Sequence, residues 1–194
     1  MSRTDVEKWD RIYRSGPGPE APSLAAPILT ENLHLLPKSG TALDAACGLG
    51  ANAMVLARQG LETHAWDISE KALFLLSKSV AKENLNLITT QRDIVSQPPA
   101  TDTFDVIVVS RFLDRSIISH LINALRRGGL IYYQTFIKDQ RDVYGPGNPA
   151  YRLDDNELLR LFSTLHLILY REEGTIGNLN TGFRNEAMLI AQKR

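Results

Sequence analysis

Between residues 41 and 136, short apolar runs alternate with amphipathic stretches of helical spacing, and no other feature of the chain restricts its fold so tightly. Runs that are apolar on both sides suit strands buried on both faces, which need helices laid over each face of a largely parallel sheet. The first run, 41–46, leads into the glycine turn Gly48-Leu49-Gly50 and a helix over 52–59, with Gly60 where a left-handed cap is wanted. A second strand is expected over 61–66, and Ser69 is placed to cap a helix running to Glu83 on which Leu73, Leu76 and Val80 share a face. A third strand over 87–90 precedes the strongest one, FDVIVVS at Phe104–Ser110. Ile117, Ile118, Leu121, Ile122 and Leu125 form the stripe of the next helix, with Arg126-Arg127 in its last turn and Gly128 as its stop. A fifth strand over 130–136, a polar loop to Arg152, a capping box of Asp154 with Glu157 opening a helix to Phe162, and strands over 165–170 and 187–191 complete the pattern. Ahead of the sheet lie a helix over 1–14 with Trp9, Ile12 and Tyr13 on one face, a Gly16-Pro17-Gly18-Pro19 break and an apolar segment over 25–36. The expectation is an open α/β sheet.

A chain of 194 residues has room for one such core, so residues 1–194 are read as a single domain with 1–40 as an N-terminal helical extension. Twenty-two basic residues balance twenty-two acidic ones, which argues against duplex nucleic acid as a partner. Cys47 stands alone, excluding an intramolecular disulfide and a multi-cysteine metal site, and fits a reducing compartment. The opening MSRTDVEKWD has no apolar core of a secretory signal, and no run of about 18 apolar residues exists to span a bilayer. A cytoplasmic protein without a membrane partner is expected, and the oligomeric state is left open.

Chemistry concentrates in LDAACGLGANA, residues 43–53. A glycine turn between a strand and its helix lets a ligand approach backbone N–H groups at the helix's positive end. Gly48-x-Gly50-x-x-Ala53 satisfies a loose dinucleotide pattern, so a nicotinamide-type oxidoreductase enters as an alternative. Asp44 separates the options: its carboxylate would repel a pyrophosphate but favours the sulfonium and α-ammonium of S-adenosyl-L-methionine. Asp67, ending the second strand, is placed for ribose hydroxyls, which both ligands carry. Arg92-Asp93-Ile94 follows the third strand, where Asp93 can accept from an adenine amino group and Ile94 can pack on the ring.

On LDAACGLGANAMVLA (43–57), WD (66–67), RDI (92–94), FDVIVVS (104–110) and LRRGGLIYYQTF (125–136), the chain resembles the class I S-adenosyl-L-methionine-dependent methyltransferases. The resemblance implies a seven-stranded, mostly parallel Rossmann-like sheet with an antiparallel last strand. It implies S-adenosyl-L-methionine as cofactor, with Asp44, Gly48 and Gly50 at the methionine end, Asp67 at the ribose and Asp93 with Ile94 at the adenine. Ala46, Cys47, Asn52, Ile68, Arg92 and Ser110 are further cofactor-binding candidates. Ala46 stands where the family often has its first glycine, which a negative φ at that residue would accommodate. WDRIYRSG (9–16), YGPGNPAYRL (144–153) and FRNEA (183–187) are similar to a narrower tellurite-resistance and thiopurine-methyltransferase-like group acting on small molecules.

At the acceptor end the chain reads Ser110-Arg111-Phe112-Leu113-Asp114, not the Asn/Asp-Pro-Pro-aromatic motif of amino methyltransferases. That argues against a base N-methyltransferase and leaves a small acceptor: a thiol, a metalloid oxyanion or a small acid. Arg111, Tyr144, Arg152 and Arg184 are the candidates for gripping it, since guanidinium forks suit oxyanions; for Arg184, a surface pair with Glu186 or Glu157 competes with that role. The loop over 137–152 is read as a substrate lid. His34, His64, His120 and His166 lack metal-ligand spacing, and no nucleophile elbow or phosphate loop occurs. Trp9 and Tyr13 fit a helix-to-sheet contact, and Arg126-Arg127 a helix end. A cofactor-binding accessory protein without turnover is the non-enzymatic alternative.

Overall fold

The computed structural model describes residues 3–15 and 24–194. Its strands are β1 (Thr41–Ala45), β2 (Glu62–Asp67), β3 (Leu87–Gln91), β4 (Phe104–Ser110), β5 (Leu125–Phe136), β6 (His166–Arg171) and β7 (Glu186–Gln192). They form one sheet in the order β3-β2-β1-β4-β5-β7-β6, and β7 alone runs antiparallel to both of its neighbours. The order reverses between β1 and β4, which opens a crevice at their carboxyl ends.

The helices are α1 (Arg3–Ser15), α2 (Pro27–Thr30), α3 (Ala51–Arg58), α4 (Glu70–Glu83), α5 (Ile118–Ala124) and α6 (Glu157–Leu161). Both faces of β4 are buried, as its uninterrupted apolar run requires. Ile107 and Val109 point into a cluster with Leu121, Tyr133 and Phe162, and Val106 and Val108 into one with Ile28, Leu56 and Tyr132. Each such fully buried side chain contributes about 1.5–3 kcal/mol. The part of the expected N-terminal extension around α2 therefore belongs to the core, with Ile28 and Leu29 fully buried against β5 and β7. Ser69 caps α4, its side chain accepting from the Ala72 N–H at 3.1 Å.

Three local expectations fail. The fifth helix ends at Ala124, not at the arginine pair: Leu125 is already extended and pairs with Phe104, and the register resumes only at Val106 with Leu130. Residues 126–129 bow out around Asp105, whose carboxylate takes Arg126 at 2.7 Å and the Thr41 N–H at 2.8 Å. The Asp154–Glu157 box closes halfway, because Glu157 reaches back to the Asp154 N–H at 2.8 Å while Asp154 turns to Lys138 at 2.6 Å. And α1 lies against α4 rather than on the sheet, leaving Trp9 and Ile12 exposed.

Candidate active site

Asp44 sits in the middle of the sheet, fully buried, one residue before β1 ends. Its Oδ2 accepts from the Ala53 N–H at 2.9 Å, in the first turn of α3. Its Oδ1 has no hydrogen-bond partner among the described residues. Burial pushes the carboxyl up to about 7; the Ala53 N–H and the nearby Asn52 side chain oppose this, and Asp67 adds to it.

After Ala45 the chain turns sharply. Ala46 takes φ +55°, correcting the expectation of a negative angle there. The left-handed region costs a residue with a Cβ about 1–2 kcal/mol. The turn is held by the Cys47 N–H donating to the Trp66 carbonyl at 2.9 Å and the Gly50 N–H donating to the Cys47 carbonyl at 2.8 Å. Gly48 and Gly50 are also left-handed, and a Cβ on Gly50 would stand 2.3 Å from a Leu76 methyl. Alanine is therefore borne at one position of this turn and sterically barred at another.

Asp67 closes the turn from β2. Its Oδ2 accepts from the Gly48 N–H at 2.7 Å and its Oδ1 from the Ser69 N–H at 2.8 Å. Burial raises its proton affinity, and those two N–H bonds work against the rise. Each oxygen keeps a second lone pair for a ligand hydroxyl. From above comes α1: the Tyr13 hydroxyl stands 2.6 Å from where a Gly48 Cβ would be, and Asp10 accepts from the Ser69 hydroxyl at 2.5 Å and the Lys71 N–H at 3.3 Å. Burial, with Asp67, Cys47 and Asp44 nearby, holds the Tyr13 hydroxyl in its protonated form. Burial likewise raises the Cys47 thiol, with Asp44 and Asp67 adding to the rise, which favours its protonated form.

The remaining expected cofactor residues ring this centre. Ile68 follows Asp67, and its carbonyl takes the Gln91 amide at 3.1 Å. Arg92 lies 4.0 Å over the Trp66 ring and donates to the carbonyls of Gln97 and Pro98. Asp93 accepts from the Val95 N–H at 3.0 Å and the Ser96 hydroxyl at 2.9 Å, while Ile94 is buried. Asn52 ties the Ala26 N–H (2.8 Å) to the Ser110 hydroxyl (2.9 Å), linking the chain before α2 to the end of β4.

The four acceptor candidates separate. Arg111 also has a left-handed φ of +55°; its Nε donates to Glu186 at 2.9 Å and its side chain is 42% exposed. Tyr144 is exposed, edge-on to Phe136 at 5.4 Å, and close enough to Arg111 to act on its charge. Arg152 is buried and spends its guanidinium on its own loop, donating to the carbonyls of Pro146, Ile137 and Tyr144. Arg184 binds the carbonyls of Thr181, Gly174, Ile176 and Asn178 and lies 3.6 Å from Glu173. The two partners expected for it are taken elsewhere, Glu186 by Arg111 and Glu157 by Arg115.

Sequence reading gave Glu186 only a surface pair with Arg184, and assigned no role to Gln134 or Asp10. The signal for the first two was a lone amide inside the buried run IYYQTF and a carboxylate at the start of an apolar strand. Among the described residues no cluster of three or more His, Cys, Asp or Glu is arranged to hold a metal ion, and no helix is long and apolar enough to cross a membrane.

The family described as tellurite resistance protein TehB matches residues 30–187. The curated "Probable S-adenosyl-L-methionine-dependent methyltransferase TehB" of Haemophilus influenzae (strain 10810) is 29% identical over 137 residues, 67% of this chain and 47% of that protein. The chain thus spans about half the length of the curated relatives it matches. Among solved structures, TehB from Haemophilus influenzae aligns with a TM-score of 0.75 at 21% identity, over 96% of this chain and 67% of that one. Geranyl diphosphate C-methyltransferase from Streptomyces coelicolor A3(2), solved with Mg2+, geranyl diphosphate and S-adenosyl-L-homocysteine, gives 0.65 at 13% identity, over 86% of this chain and 77% of that one. These structures share the seven-stranded, Rossmann-like methyltransferase fold with this chain.

Proposed function

Because the chain belongs to the TehB family, we propose that it transfers a methyl group from S-adenosyl-L-methionine to a small-molecule acceptor. The observation that carries this reading is Asp44 Oδ1, a fully buried carboxylate oxygen without a hydrogen-bond partner among the described residues, at the carboxyl end of β1. An orphaned anionic oxygen in the interior is costly, and a ligand cation beside the glycine turn relieves that cost. The donor set fits such a ligand: Asp44 for its cationic methionine end, Gly48 and Gly50 for close backbone approach, Asp67 for ribose hydroxyls, Asp93 with Ile94 for the adenine. Bound there, the ligand supplies an electrophilic methyl group on sulfur.

The chain's own part is then binding and alignment, since displacement at a methyl carbon gains most from holding the nucleophile in line. Arg111 and Tyr144 stand on the acceptor side, where a thiolate or oxyanion arrives already ionised and needs no general base. Metalloid oxyanions and small acids meet that condition outright, and a thiol meets it through its thiolate fraction. Calorimetry tests the reading: S-adenosyl-L-methionine or its demethylated product should bind, and NAD poorly. Tight NAD binding without response to either adenosyl ligand would overturn it. Release of the demethylated product across thiols, metalloid oxyanions, phenols and small acids then distinguishes turnover from binding alone.

A further inference from the structure

Glu186, the first residue of β7, is 4% exposed and divides its two oxygens between two partners. Oε1 accepts from Arg111 Nε at 2.9 Å, and Oε2 accepts from the Gln134 side-chain amide. Gln134 is itself 1% exposed, and its Oε1 accepts from the Ile28 N–H at 2.9 Å, so donor and acceptor together fix the amide's orientation. A relay therefore runs from α2 through β5 and β7 to the end of β4. At its open end Arg111 carries a strained backbone, and its two terminal nitrogens make no hydrogen bond among the described residues. Strained φ values in non-glycine residues gather at functional sites. The other five such residues among those described include three asparagines and an aspartate, which tolerate the region; Ala46 and Arg111 do not, and each directly follows a strand that ends at the crevice.

Resting on the methyl-transfer reading, we propose that Glu186 is a positioning residue that fixes the Arg111 guanidinium through Nε, leaving its terminal nitrogens as a fork for an oxyanionic group of the methyl acceptor. Position and charge make opposite forecasts. If Glu186 acted through charge alone, removing it would leave the Arg111 charge unopposed and tighten anion binding. If it acts by position, removing it loosens the fork and weakens binding.

The test uses the full chain, 15N-labelled and saturated with S-adenosylhomocysteine, titrated with benzoate as the probe anion and with benzamide as its neutral counterpart. The reporter is the Arg111 Nε–H resonance, identified by its loss in Arg111→Lys. Benzoate should shift that resonance and bind about tenfold more tightly than benzamide, as a charge-assisted fork requires. Glu186→Gln should weaken benzoate about fivefold or more while S-adenosylhomocysteine affinity stays within about twofold. Exchanging the pair, Glu186→Gln with Gln134→Glu, keeps an acceptor for every donor of the relay and should restore benzoate binding to within about threefold. Benzoate binding by Glu186→Gln as tight as or tighter than in the unaltered chain would overturn the proposal, as would no benzoate binding by the unaltered chain. If Glu186→Gln fails to fold, the exchanged pair decides alone: restored binding supports the relay and lost binding refutes it. Failure to bind S-adenosylhomocysteine would strike the methyl-transfer reading instead, and the benzoate arms would then be run on the ligand-free chain.

Discussion

Asp44 and Arg152 are both buried charged groups near the carboxyl ends of the parallel strands, yet their surroundings differ in kind. Among the described residues, Asp44 has one N–H partner and one oxygen with none. Arg152 has a carbonyl for each of its three nitrogens, all within its own loop or the end of β5 next to it. The β1–β2 side thus keeps electrostatic capacity in reserve, whereas the 137–152 loop has consumed its own in taking shape. Arg184 repeats the second pattern, spent on carbonyls between 174 and 181. A charged residue at a crevice is a binding group only when its partners are not already supplied.

The largest effect expected from this contrast is on stability. Arg152→Met removes three charge-assisted bonds, the buried one to the Ile137 carbonyl and the part-buried ones to the Pro146 and Tyr144 carbonyls, and leaves those carbonyls without that donor. It should cost on the order of 3–5 kcal/mol in denaturant unfolding, with the cofactor affinity of the folded fraction nearly unchanged. An Arg152→Met protein of ordinary stability that lost only acceptor affinity would break the comparison. Next comes Asp67→Asn, which keeps an acceptor for only one of the turn's two N–H groups and removes charge from the ribose side. It should weaken S-adenosyl-L-methionine binding by about 1.5–3 kcal/mol without unfolding the protein, measured by calorimetry. Unchanged affinity would mean that Asp67 only braces Gly48 and Ser69. The smallest effect sharpens the account of the turn: Ala46→Gly relieves a left-handed alanine and should stabilise the chain by up to about 1 kcal/mol in thermal unfolding, less the extra entropy of the unfolded glycine.

What the sequence made legible follows from the range of the forces involved. FDVIVVS has one reading because an uninterrupted apolar run has nowhere to go but a doubly covered strand, and the Ser69 cap is a contact three residues long. The seven strands and the antiparallel β7 came with the family resemblance and agree with the sheet. The end of α5 was misread because Arg-Arg-Gly-Gly is locally a helix stop, while Asp105, 21 residues away, draws Arg126 into the strand's detour. Asp44, Cys47, Gly48, Gly50 and Asp67 converge on one turn because strand and turn geometry place them there. Arg152 and Arg184 looked available in sequence since backbone carbonyls, the groups that occupy them, are present in every residue and leave no mark. The approach of Tyr13 and Asp10 over that turn depends on how α1 docks on α4, which no spacing encodes.

The central claim is that Asp44 waits for a ligand cation, and its pH dependence tests that most directly. Burial lifts the carboxyl from 3.8 to about 7, so the ligand-free chain holds this proton more tightly than the unfolded chain does. This group's contribution to stability is therefore greatest at low pH and is lost as pH rises from about 4 through about 7. A ligand cation needs the ionised form, so its affinity must move the other way. S-adenosyl-L-methionine binding should be followed by calorimetry from about pH 5.5 to 7.5, below the range where an α-amine near 7.7–8.0 has largely lost its own proton. Affinity should climb by nearly tenfold per unit up to about pH 7 and then level, with a proton released on binding at the acid end, and Asp44→Asn should bind weakly with a flat profile. Equal affinities and equally flat profiles for the two proteins would contradict the account.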